Sequence, residues 1–335
     1  MRNTARIAET LPLPQARALQ RPSGSTIASL CKAYSLRHET IELDAGSAFP
    51  RATLHFIDCD PTARSRIPSP SPSGSGNGND NFARAAAQRL TAKCVLLEYT
   101  LAPELKYPGQ LAQAAAALRY LLQDHDAAEI TIAGDSAGGN LALAVLAHLR
   151  DPHPLVRPVF EGRDHHQQQQ LRAALCISPR CANECSAASY TYNADKDIVS
   201  KALMEMFNSH WEPVKEEVWA TPLAGTKDFW GSVPAKKVLL LAGTDEVYVD
   251  DIREFGELLG SSSQTDTELV LCAGETHVQA IRDIAVGNWD GVMLKVALNW
   301  LQNLGKLNDP GLLLPSNSKG VCAVWNDTMI SDDGL

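Results

Sequence analysis

No apolar run in this chain approaches the roughly 18 consecutive residues that a membrane-crossing helix needs. The N-terminus also lacks the continuous apolar stretch of a secretory signal. Basic residues are in the minority: 30 Lys and Arg against 39 Asp and Glu give a formal net charge of −9. That balance argues against nucleic acid or an anionic membrane surface as the main partner. The first forty residues run the other way, with more Arg and Lys than acids, so a transit peptide stays open beside a cytoplasmic location. Metal-binding spacings are missing too. Cys181 and Cys185 are separated by three residues, and no second Cys or His pair follows at a zinc spacing. His165 and His166, followed by four glutamines, read as a solvated loop rather than a metal site. The other cysteines are Cys31, Cys59, Cys94, Cys176, Cys272 and Cys322. Three of these (Cys94, Cys176 and Cys272) lie in apolar runs, as buried reduced thiols do. Asn326-Asp327-Thr328 fits a glycosylation acceptor, a triplet common by chance.

What is present is an ordinary globular composition, 44% hydrophobic and 21% charged. Short runs rich in Val, Ile and Leu occur at 53–57, 94–98, 130–133, 174–177, 238–241 and 268–272. They alternate with helical patterns at 110–123, 139–150, 250–259 and 289–304. Near-continuous apolar strands separated by helices predict a doubly wound, mostly parallel sheet covered on both faces. The expected layout is one domain over 1–335, with its core at about 50–305 and a tail at 306–335. Residues 1–45 have weak helical character and no clear strand. Residues 181–230 form an aromatic-rich insertion between core strands, whose composition fits a lid or peripheral packing equally, and the expected layout takes both segments as a partly helical cap. Residues 62–80, dominated by Ser, Pro, Gly and Asn, read as a flexible low-complexity loop.

Chemistry concentrates at Gly134-Asp135-Ser136-Ala137-Gly138-Gly139. The segment follows an apolar strand and leads into a helical run, and strand, sharp turn and helix make Gly-x-Ser-x-Gly informative as a nucleophile elbow. A serine hydroxyl needs a base to take its proton, and the base needs an acid to orient it. In this fold class the order along the chain is Ser, acid, His. The run at 238–241 leads into Thr244-Asp245-Glu246, and the run at 268–272 leads into Gly274-Glu275-Thr276-His277. Loops at strand C-termini are where active groups converge. Ser136, an acid at 245 or 246, and His277 are therefore the candidate residues, with no cofactor or metal implied.

Four segments resemble the hormone-sensitive-lipase-like branch of the α/β-hydrolases, the fold-3 carboxylesterases of fungi and bacteria. They are Tyr99-Thr100-Leu101-Ala102-Pro103-Glu104, the elbow at 134–139, the acid segment from Gly243 to Asp251, and Gly274-Glu275-Thr276-His277-Val278. The resemblance implies a serine carboxylesterase acting on a small or medium ester, such as an acetylated metabolite, and says nothing of oligomeric state. Counting back from Asp250 as the family motif does selects Glu246 rather than Asp245. The family's His-Gly-Gly-Gly, which supplies much of its oxyanion hole, has no counterpart. The strand taken to correspond, Thr53-Leu54-His55-Phe56-Ile57, continues into Asp58-Cys59-Asp60. Only the Ala137 N–H is assignable to the hole, and Asp58 and Asp60 are expected to disfavour an oxyanion beside them. Three explanations stay open: donors from another loop, such as that holding Gly74, Gly76 and Gly78; an inactive or ligand-binding relative; or an exon misread in the deduced sequence. A tailoring enzyme doing other acyl chemistry is a further alternative.

Overall fold

The computed structural model describes residues 23–58, 78–160, 169–260, 265–306 and 320–325. Cys59, Asp60, Gly74, Gly76, His165, His166, the triplet at 326–328, and most of the loop and tail segments lie outside these residues.

In chain order the elements are α1 (Ser23–Ala33), β1 (His38–Leu43), β2 (Ala52–Ile57), α2 (Gly78–Leu90), β3 (Lys93–Glu98), α3 (Gly109–Leu121), β4 (Ile130–Asp135), α4 (Ala137–Arg150) and β5 (Leu171–Ile177). There follow α5 (Ser189–Tyr192), α6 (Lys201–Trp211), α7 (Lys227–Trp230), β6 (Ala235–Gly243), α8 (Val249–Leu259), β7 (Asp266–Cys272), α9 (Gln279–Ala285), α10 (Val292–Lys306) and β8 (Val321–Trp325). All eight strands join one sheet, ordered β1-β2-β3-β8-β4-β5-β6-β7. From β3 to β7 every pairing is parallel, while β1 and β2 add an antiparallel edge. The central strands are buried on both faces, with β4 and β8 buried at every residue. That burial explains why they read as unbroken apolar runs rather than alternating ones. Helices α2, α9 and α10 pack together as one layer, and α3 and α4 pack side by side with α8 along β6 and β7.

The doubly wound parallel sheet is thus as the sequence predicts, and three segments correct the expected layout. Residues 38–43, read as lacking a strand, form β1, because Leu43 and Ile41 have the buried edge of β2 to pair with. Residues 78–80, read as the end of the flexible loop, open α2, where Gly78 packs against the Ile281 backbone. The tail was expected to lie outside the core. Instead its segment Val321-Cys322-Ala323-Val324-Trp325 sits at the centre of the sheet, between β3 and β4.

The antiparallel course of β2 carries a further correction. Ile57 pairs with Cys94 at the start of β3, whereas Thr53 pairs with Glu98 at its end. The chain after Ile57 therefore leaves from the edge opposite the strand C-termini. Asp58 lies at that far edge, in an ion pair with Arg37, and so cannot weaken an oxyanion beside Ser136. His55 is buried between His38 (2.9 Å) and Glu98 (3.0 Å), serving the packing of the edge strands.

Candidate active site

The parallel strands bring their C-terminal ends to one edge, where the turns after β4, β6 and β7 converge. After β4 the chain passes through Ser136 with φ +53° and ψ −115° and enters α4 directly. A positive φ at a residue with a side chain costs of order 1–3 kcal/mol and persists only where its surroundings enforce it. Here the Ser136 N–H donates to the Ile177 carbonyl at 2.9 Å, and its carbonyl accepts from Asn140 N at 3.0 Å. Space demands the neighbouring glycine: a Cβ on Gly134 would stand 2.2 Å from the Gly138 carbonyl oxygen. The Ala137 N–H opens α4, where the first N–H groups have no intrahelical acceptor and the helix end is partly positive.

Of the sequence candidates, Ser136, His277 and Glu246 come together. Ser136 Oγ lies 2.9 Å from His277 Nε2, and His277 Nδ1 lies 3.3 Å from Glu246 Oε2. Both His277 and Glu246 are buried. Asp245 does not join them. Its side chain is 29% exposed and pairs with Lys196 at 3.3 Å, so of the two acids only Glu246 reaches the imidazole. The turn can place Glu246 because Gly243 lets the β7 loop press close: a Cβ there would stand 2.0 Å from the Glu275 carbonyl oxygen.

Burial pushes the Glu246 carboxyl up, against the opposing pull of the His277 hydrogen bond and charge and of the Gly243 N–H. Burial alone would lower the His277 imidazole, but its hydrogen bond to Glu246 and that carboxylate's charge outweigh it and hold the group above its ordinary 6.5. An acid that stabilises the imidazolium and a base that touches a strained serine hydroxyl constitute acyl-transfer geometry.

Three supporting residues escaped the sequence reading. Ser178, at the end of β5, donates its hydroxyl to Glu246 Oε1 at 2.7 Å and accepts from Val278 N at 3.0 Å. Asp197 accepts from the backbone N–H of His277 (2.9 Å) and of Val247 (2.8 Å), tying the acid and base loops to the insertion. Asn193 Nδ2 donates to the carbonyls of Thr244 and Glu246 at 2.9 and 2.8 Å. Ser178 had a signal, since it follows a predicted strand as Ser136 does. Asp197 and Asn193 had none, being polar residues among many in an irregular segment.

Ser136 opens into a pocket of about 820 Å³, counted to its open mouth. Phe207, Trp211 and Trp219 of the aromatic insertion form part of its wall, together with Tyr107 and Tyr248. Among the described residues the insertion thus lines the pocket, whereas α1 contributes no lining residue.

With that geometry in place, similarity to known proteins is informative. A family model described as alpha/beta hydrolase fold matches residues 72–281. An acetyl-hydrolase from Streptomyces hygroscopicus is 32% identical over 171 residues, covering 48% of this chain and 49% of that protein. An arylacetamide deacetylase from Bos taurus is 33% identical over 138 residues, covering 38% of this chain and 31% of that one. The chain therefore spans about half or less of the length of these curated relatives. A solved fungal esterase from Rhizomucor miehei superposes with a TM-score of 0.66 at 17% identity, over 91% of this chain and 95% of the other. At that identity the superposition speaks to the fold.

Proposed function

The chain belongs to the α/β-hydrolase fold family, and on that premise we propose that it is a serine carboxylic-ester hydrolase for small or medium esters. The observation that carries this reading is the run of contacts from Ser136 Oγ to His277 Nε2 at 2.9 Å and from His277 Nδ1 to Glu246 at 3.3 Å. Ser136 attacks the ester carbonyl as His277 takes its proton, and Glu246 holds the imidazole in the required tautomer. The Ala137 N–H, at the positive end of α4, faces the charge that develops on the carbonyl oxygen. His277 returns the proton to the leaving alcohol and then activates the water that frees the acid. Acetyl esters suit the reading, given the acetyl-hydrolase and deacetylase among the relatives. The proposed layout is a single domain in which residues 181–230 serve as the cap.

Hydrolysis of p-nitrophenyl acetate by wild type and by Ser136→Ala tests the proposal. The variant is expected to lose at least about a thousandfold in kcat/KM, and equal rates would sink the esterase reading. A second reading, a ligand-binding relative without turnover, is favoured by one observation: the sequence has no counterpart of the family's His-Gly-Gly-Gly, which leaves the Ala137 N–H as the donor assignable from it. Losing one such donor typically costs about 100- to 1,000-fold in turnover. On this reading wild type and Ser136→Ala would both be inert yet bind the same small ester.

A further inference from the structure

Arg180 follows β5 by three residues and lines the pocket that holds Ser136. Of the sixteen described residues that line this pocket it alone carries a charge, and none is an Asp or Glu. Its backbone is locked to the elbow: its N–H donates to the Ser136 carbonyl at 3.3 Å, and its own carbonyl accepts from Asn140 Nδ2 at 2.8 Å. The residue is only 6% exposed, so the guanidinium has left bulk water.

Its charge has no matching anion. The side chain donates to Asn208 Oδ1, a neutral amide, and lies 5.9 Å from the Trp211 ring centre. Nε is buried with no acceptor, and no carboxylate among the described residues forms an ion pair with the group. Asp251 is close enough for the two to influence each other electrostatically, yet burial, together with the neighbouring Glu254, Asp250 and Glu184, pushes that carboxyl up to about 7. Removing a guanidinium from water without a partner is costly, and the cost is repaid when an anion with matching geometry arrives. The planar fork presents parallel N–H groups that a carboxylate accepts in bidentate fashion.

We propose that Arg180 is a specificity residue that selects esters carrying a carboxylate, holding that group while Ser136 meets the ester carbonyl. The aromatic walls from Trp211, Trp219 and Phe207 fit the apolar frame that joins the two groups. The catalytic half of this proposal rests on the esterase reading. The binding half does not.

Two matched pairs of substrates test it: phenyl acetate against 3-acetoxybenzoate, and phenyl butyrate against monophenyl succinate. In wild type the carboxylate member of at least one pair is expected to show a kcat/KM ten- to a hundredfold above its neutral partner, the range of a charge-assisted hydrogen-bonded pair. In Arg180→Met that ratio is expected to fall tenfold or more, with Arg180→Lys between the two. Absence of preference in both pairs, or an unchanged ratio in Arg180→Met, overturns the proposal. Should Arg180→Met lose its cooperative thermal transition, Arg180→Gln replaces it, with the same outcomes decisive. Calorimetric titration of 3-acetoxybenzoate and phenyl acetate into Ser136→Ala, with and without Arg180→Met, separates the two readings. Arg180-dependent binding of the carboxylate to Ser136→Ala, together with a wild type that hydrolyses none of the four esters, refutes the esterase and retains Arg180. Hydrolysis of neutral esters without any carboxylate preference does the reverse.

Discussion

Glu246 and Asp245 are adjacent and chemically similar, yet only one reaches His277, and the difference is a matter of turn geometry. The Gly243 N–H and the Ser178 hydroxyl both point at Glu246 Oε1, leaving Oε2 for the imidazole. Glu246→Gln is expected to lower kcat by about a thousandfold or more, because an amide cannot hold the imidazole tautomer and stabilise its charge. Asp245→Asn, which breaks only a partly exposed pair with Lys196, is expected to stay within about threefold of wild type. Steady-state kinetics of both variants on p-nitrophenyl acetate provide the check.

The direction of the His277 shift fixes a second outcome. A base works only when neutral, so activity falls as the pH drops through its value, which lies above the ordinary 6.5. The acid limb of kcat/KM against pH is expected to have its midpoint above 6.5. Asp251 gives a stability effect of opposite sense to an ion-paired acid. Its carboxyl is raised from 3.8 to about 7, so the folded state binds the extra proton across that window and stability falls as pH rises through it. Asp251→Asn is expected to stabilise by about 1–4 kcal/mol at pH 8 and to bring no gain below about pH 4. Thermal melts at the two pH values decide it.

At the scale of elements, local pattern was enough for most of the frame. The strands at 130–133 and 238–241 and the helix at 250–259 were legible because burial on both faces, or on one stripe, writes itself into the sequence. The candidate residues Ser136, Glu246 and His277 were legible because a motif and the order of strands place them at one edge. Elements set by distant partners were not legible. His-Glu-Thr-Ile-Glu-Leu is a strand only because β2 lies beside it. Val321–Trp325 is five residues long and surrounded by segments of turn composition, so nothing local distinguishes it from an apolar patch in a tail. The strand β2 was legible, but its direction was not, because an apolar run has no polarity along the chain. That is why Asp58 was expected beside Ser136 and lies at the opposite edge.

Strand β8 supports a prediction of its own. Trp325 is 1% exposed and pairs in register with Leu97 on one side and Gly134, two residues before Ser136, on the other. Trp325→Ala is expected to cost about 3–5 kcal/mol, as for other fully buried large aromatics, and on the proposed reading to reduce ester hydrolysis through the elbow. Denaturant unfolding followed by an activity assay measures both effects. A chain ending at residue 306 would leave the facing edges of β3 and β4 unpaired in a dry interior and is expected to show no cooperative unfolding transition.

The whole molecule joins a strongly buried sheet to a pocket walled in part by Phe207, Trp211 and Trp219 of the 181–230 segment, with Ser136, Glu246 and His277 at the strand ends. Its central pairings span great distances along the chain: Lys93 pairs with Val321, and Ile130 pairs with the same residue from the other side. Such contacts close slowly, because the entropy of a long loop is lost before any pairing offsets it. Among the described strands β8 is also the last to leave the ribosome. Until it emerges, the nascent chain holds two half-sheets with complementary open edges and an unfinished nucleophile turn. On the esterase reading no ester is turned over before β8 arrives, and each growing chain must be shielded from its neighbours until then.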